Sequence, residues 1–138
     1  MTFIERCLYE YKANKAAIEA ISMEINDLMS VRGYSYENYS PDSHTVSDSV
    51  LEVTAMKMNL EKKIARLQRL TTPVEKLRDD LSGNSLNTQQ MREILVWKYI
   101  EHEGNERTQE KMAVSGRTFW RRVRELLYLA KKYFGEVN

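Results

Sequence analysis

Apolar residues return every seven positions near the start of this chain. Ile4, Tyr11, Ile18 and Ile25 mark one seam, and Ile21 and Leu28 fall on the second, with Cys7 and Leu8 close to it. Heptad spacing of this kind lines one face of a helix. Alanines and glutamates occupy most other positions and favour helix, so a helix is expected over about residues 2–30, its seam interrupted at Asn14. The same period reappears at Val46, Val53, Leu60, Leu67, Val74 and Leu81, with Met56, Leu70 and Leu77 on the second seam. This predicts a helix over about 47–82, capped by Ser47 or Asp48. It should kink or restart at Thr72-Pro73, because proline lacks the backbone donor and clashes with the preceding turn. The simplest packing of the two is an antiparallel hairpin. A third helix or a second copy of the chain is then expected to cover the rest of the seam.

The stretch between them, residues 31–49, contains Gly33, Pro41 and clusters of Ser, Asn and Asp, so an irregular connector is expected there. Tyr34, Tyr36 and Tyr39 alternate within it and are assigned to loose packing on neighbouring helices. After the turn signal 82-SGNSLN-87, Asn87 or Thr88 is expected to cap a helix over about 88–102, with Gln90 near the third position as in a capping box. Met91, Ile94, Leu95, Lys98 and Tyr99 mark its faces, and Gly104 is the expected stop.

The pattern changes at the C-terminal end. A short helix is expected from Asn105 or Glu106 to Met112, with Thr108 and Met112 facing inward. Ala113-Val114-Ser115 then forms a turn in which Val114 plugs the angle between helices and Ser115 caps the next one. In that second helix, about 116–131, Phe119, Val123, Leu126, Leu127 and Ala130 form an apolar stripe, while Arg117, Trp120, Arg121 and Arg124 fall mainly on the other side. This is the layout of a helix-turn-helix, whose second helix enters the DNA major groove. The predicted fold class is all-α: a helical hairpin over 1–82, serving dimerisation or interaction, followed by a DNA-binding helix-turn-helix module over 83–138.

Charge sharpens the picture. The formal net charge is only +1, yet residues 107–132 hold eight cationic side chains against Glu110 and Glu125, a local charge of +6. The remainder therefore carries −5, and such asymmetry points to a polyanionic partner at one end. Arg117 and Arg121 are assigned to base or backbone contact in the groove. Arg107, Lys111, Arg122 and Arg124 are assigned to phosphates or to nearby carboxylates. Thr118 suits a thymine methyl or a phosphate. Trp120 has two placements open, under the first short helix or beside the DNA backbone. Ser115 completes the candidate set through the turn that it caps.

Other classes find less support. His44 and His102 are distant in sequence, without Cys or carboxylate groups at metal spacing. No phosphate-binding glycine loop or nucleophile–base pair is evident, so no enzyme activity, cofactor or metal is expected. The sole cysteine, Cys7, sits near a seam and suits a reducing cytoplasm. No apolar run reaches the roughly 18 residues that span a bilayer, and no signal-peptide pattern is visible.

The run Trp97-Lys98-Tyr99-Ile100-Glu101, followed by Val114-Ser115-Gly116-Arg117-Thr118 and then Arg122 and Leu126, resembles the ArpU/RinA-like phage transcription regulators. The resemblance implies a C-terminal helix-turn-helix similar to region four of sigma factors. It also implies phage or prophage origin in Gram-positive bacteria, regulation of late genes and a cytoplasmic setting in the host. The expected function is sequence-specific double-stranded DNA binding by a homodimer, with RNA polymerase a further possible partner. The competing readings are a small phage packaging subunit that assembles as a ring, and a helical protein–protein adaptor with a solvated basic face.

Overall fold

The computed structural model describes residues 1–31 and 48–135, and all regular structure among them is helical. The all-α expectation therefore holds. The elements are α1 (Phe3–Tyr9), α2 (Tyr11–Val31), α3 (Asp48–Asp80), α4 (Leu86–Glu93), a π-helical segment (Ile94–Ile100), α5 (Asn105–Met112) and α6 (Gly116–Tyr133). Tyr34, Tyr36, Tyr39, His44, Val46 and Ser47 lie outside the described residues.

The helix expected over 2–30 is divided at Glu10, whose ψ is 0° against about −42° in a regular helix. The hydrogen-bond ladder still carries across the joint: Glu10 N–H donates to the Arg6 carbonyl and Asn14 N–H to the Glu10 carbonyl, each at 2.8 Å. Of the kink or restart expected at Pro73, the restart does not occur: one helix, α3, runs through the proline. Val74 and Leu77, just beyond the proline, are fully buried. Their burial anchors the continuation against the loss of one donor.

By its contacts the chain forms two compact units, one of Met1–Lys15 with the chain from Arg69 onward, the other of Ala16–Gln68. The boundary drawn from sequence at residue 82 is not where this division falls. Both long helices cross it, because their ends are packed with the C-terminal helices. The first unit owns a core of Ile4, Leu8 and Tyr11, of Val74, Leu77 and Leu81, of Ile94, Leu95, Tyr99 and Ile100, and of Phe119, Val123, Leu126 and Ala130. Within this unit the start of α2 meets the end of α3 in antiparallel order. Lys15 pairs with Glu75 at 2.9 Å, and the Arg78 guanidinium stands 5.7 Å from the Tyr11 ring centre. The hydrogen bond from Lys15 holds the Glu75 carboxyl below the ordinary carboxylate range. The second unit is less covered: Ile18, Ile21, Ile25, Leu28, Leu60 and Leu67 are half-buried, and Met23, Leu51, Met56 and Met58 are exposed.

The helix expected over 88–102 differs in four ways. Its cap is Ser85, whose Oγ accepts from the Thr88 N–H at 3.2 Å. Gln90, the expected capping-box residue, is buried and bonds elsewhere. From Ile94 the backbone widens into π-helix, closed by Glu101 N–H donating to the Val96 carbonyl at 2.8 Å. A wider turn aims more side chains at one side, and Ile94, Leu95, Lys98, Tyr99 and Ile100 are all buried. Lys98, only 6% exposed, donates to the Tyr9 hydroxyl at 2.5 Å and lies 4.5 Å from the Tyr99 ring centre. Aromatic faces and a phenol oxygen thus replace water around this ammonium. Burial raises the Tyr99 phenol well above its ordinary pKa. Gly104 does not stop this helix. It opens α5 with φ +85°, a conformation reserved for glycine.

Candidate nucleic-acid interface

Local chemistry builds the α5–turn–α6 pair. Thr108, fully buried, donates from Oγ1 to the Gly104 carbonyl at 2.7 Å and ties the first turn of α5. Ala113 ends α5 in the left-handed region, φ +54° and ψ +45°. Gln109 Nε2 donates to the Val114 carbonyl at 3.3 Å, while Val114 packs partly buried on the core. Ser115 then caps α6: its Oγ accepts from the Thr118 N–H at 3.2 Å and donates to Thr118 Oγ1 at 3.1 Å. Such a cap satisfies one of the donors that a helix start otherwise leaves unpaired.

The two faces of α6 differ sharply. Phe119, Leu126 and Ala130 are fully buried, with Val123 nearly so. Arg117, Arg121 and Arg124 are exposed and have no ion-pair partner among the described residues. Tyr128, Lys131 and Lys132 extend this surface toward the helix end, with Lys132 Nζ 5.3 Å from the Tyr128 ring centre. Trp120 is 47% exposed, which resolves its two sequence placements in favour of the outer surface. Its ring meets buried Phe119 edge-on, centroids 5.2 Å apart. Arg107 on α5 is exposed as well.

Four of the expected contact residues are engaged within the protein. Arg122, 8% exposed, is a buried lock. Its Nε donates to Gln90 Oε1 at 2.8 Å, its Nη2 to Asn87 Oδ1 at 2.5 Å, and its Nη1 to both Glu125 oxygens at 3.0–3.1 Å. These bonds use four of the five N–H donors of a nearly buried guanidinium, so of the two assignments made for Arg122, phosphate or a nearby carboxylate, the structure meets the carboxylate. Its amide partners escape sequence reasoning, because Asn87 and Gln90 reach it from another helix. Lys111 donates to both Glu103 oxygens at 2.5 Å and stands over Trp97, 5.3 Å from the ring centre. It braces α5 against the π segment. Ser115 spends its hydroxyl on the cap, where Thr118 Oγ1 accepts from it. The surface that remains is Arg107, Arg117, Trp120, Arg121 and Arg124, and sequence reasoning missed Tyr128 among them.

Within the described residues no helix is long and apolar enough to cross a membrane. Comparison with protein-family models, curated proteins and solved structures finds no match for this chain.

Proposed function

We propose that this chain is a sequence-specific double-stranded DNA-binding transcription regulator that reads the major groove with α6. One observation carries the reading. Arg117, Arg121 and Arg124 project from a capped helix whose opposite face is buried in the core, and no carboxylate among the described residues neutralises them. A helix so fixed presents its guanidinium forks at little entropic cost. Arginine bonds the guanine edge bidentately and neutralises phosphates equally well. The sequence resemblance to phage regulators adds the context of late phage or prophage genes. Exposed Met23, Leu51, Met56 and Met58 favour a further protein contact through the second unit. The proposal assigns that contact to a second copy of the chain, so that two half-sites lie about one helical turn apart or a multiple of it.

The test is affinity for duplex DNA across a salt series. Log affinity is expected to fall linearly with log salt, with a slope of about −0.9 per phosphate neutralised. The Arg117→Ala/Arg121→Ala variant should bind at least about thirtyfold more weakly, since each good contact supplies about 1–3 kcal/mol. Its melting temperature should not change. Absent or salt-insensitive binding refutes the proposal. Sedimentation separates the dimer from a monomeric adaptor and from a packaging ring.

A further inference from the structure

We infer that Trp120 is a specificity-determining residue that reads the 5-methyl group of thymine beside the bases or phosphates engaged by Arg117 and Arg124. This rests on the DNA-binding reading above and adds to it a named base chemistry.

Trp120 is a large apolar side chain in the middle of a cationic surface, and the core does not account for it: almost half of it is in solvent. Helical geometry sets it three residues after Arg117 and four before Arg124, the two spacings at which side chains on a helix are neighbours. The ring is not a loose appendage. Its edge-on contact with Phe119, itself fully buried, fixes one side of the indole. An aromatic ring already held in place loses little freedom when a ligand covers it.

The major groove offers such a ring one kind of partner. Guanine, cytosine and adenine present hydrogen-bond donors and acceptors at the groove edge, whereas thymine adds an apolar methyl group. Pressing an indole face against N7, O6 or N4 would strip those atoms of water and return no hydrogen bond, which is unfavourable. Pressing it against a methyl group removes apolar area from water on both sides. Along the helix axis Trp120 lies about 4.5 Å from Arg117, comparable to the roughly 3.4 Å step between base pairs. The thymine it reads should therefore lie within two base pairs of the position met by Arg117.

The experiment uses the full chain. Duplexes are selected from a random pool, and each thymine of the selected site is replaced singly by uracil, which removes the methyl group and nothing else. One thymine per half-site is expected at which uracil weakens binding about three- to fivefold, the effect of burying about one methyl group. Trp120→Ala should bind the thymine site about that much more weakly and be indifferent to uracil there; its melting temperature falls with the lost Phe119 contact, so binding is measured well below it, where the variant is folded. Trp120→Phe should keep part of the methyl preference. Selected duplexes whose thymines all tolerate uracil would overturn this inference and leave the DNA-binding reading standing. An equal uracil penalty in the parent and in Trp120→Ala would do the same. Failure to select any duplex would overturn both.

Discussion

Arg122→Ala separates a structural arginine from a DNA-binding one on the same helix. The parent guanidinium gives one hydrogen bond to buried Gln90, one to exposed Asn87 and a forked pair to Glu125. Hydrogen bonds with a charged partner contribute about 1.5–3 kcal/mol each. The upper part of that range suits Gln90, whose amide is left unpaired in the variant, and the lower part suits Asn87. Glu125 is 42% exposed, so solvent screening limits its share to under about 1 kcal/mol. The loss comes to about 4 kcal/mol, and in a unit of this size each kcal/mol moves the melting temperature by about 4–8 °C. A drop of roughly 15 °C or more is expected in calorimetry or thermal circular dichroism. The variant that remains folded at low temperature should bind DNA nearly as the parent does. Arg122→Met combined with Gln90→Leu should recover much of the loss, since an apolar pair of similar volume can replace a buried polar one. A variant that melts within a few degrees of the parent yet loses DNA affinity would refute the lock and return Arg122 to the interface.

Ser115→Ala removes the α6 cap and should cost about 1 kcal/mol by denaturant titration, with DNA affinity falling because the start of α6 frays. Gly104→Ala meets no atom within 4 Å of the new Cβ, so its cost is backbone strain alone at φ +85°, about 1–3 kcal/mol; an unchanged midpoint would show that the α5 start is built differently. Tyr133 donates its phenol proton to Asp80. That bond, with some burial, pushes its pKa up to about 12 from 10.0. The folded state therefore retains a proton that the unfolded chain releases. The resulting stability is fully present below pH 10 and is lost as pH rises through 12. Phenolate absorbance should show Tyr133 among the late-titrating tyrosines of the parent, beside buried Tyr99, and one fewer late-titrating tyrosine in Asp80→Asn; no difference between the two would exclude the bond.

Much of the C-terminal pair was legible because its determinants are local. Ser115 sits three residues before the donor it accepts, and Phe119, Val123, Leu126 and Ala130 repeat at the helical period that buries them. Thr108 faces inward for the same reason. The all-α class followed from heptads long enough to exclude strands. Tertiary structure alone decided which cations remain in solvent. Arg122 and Arg121 are adjacent and chemically identical, yet one is buried and the other exposed. The difference is one helical step of about 100°, which turns Arg122 toward acceptors on α4 that lie 32 and 35 positions away in the chain. The π widening at Ile94 and the pairing of Lys111 with Glu103 are of the same kind. Periodicity records which side of a helix is apolar; only the packed neighbours determine whether a charge at the border of that side finds water or a partner.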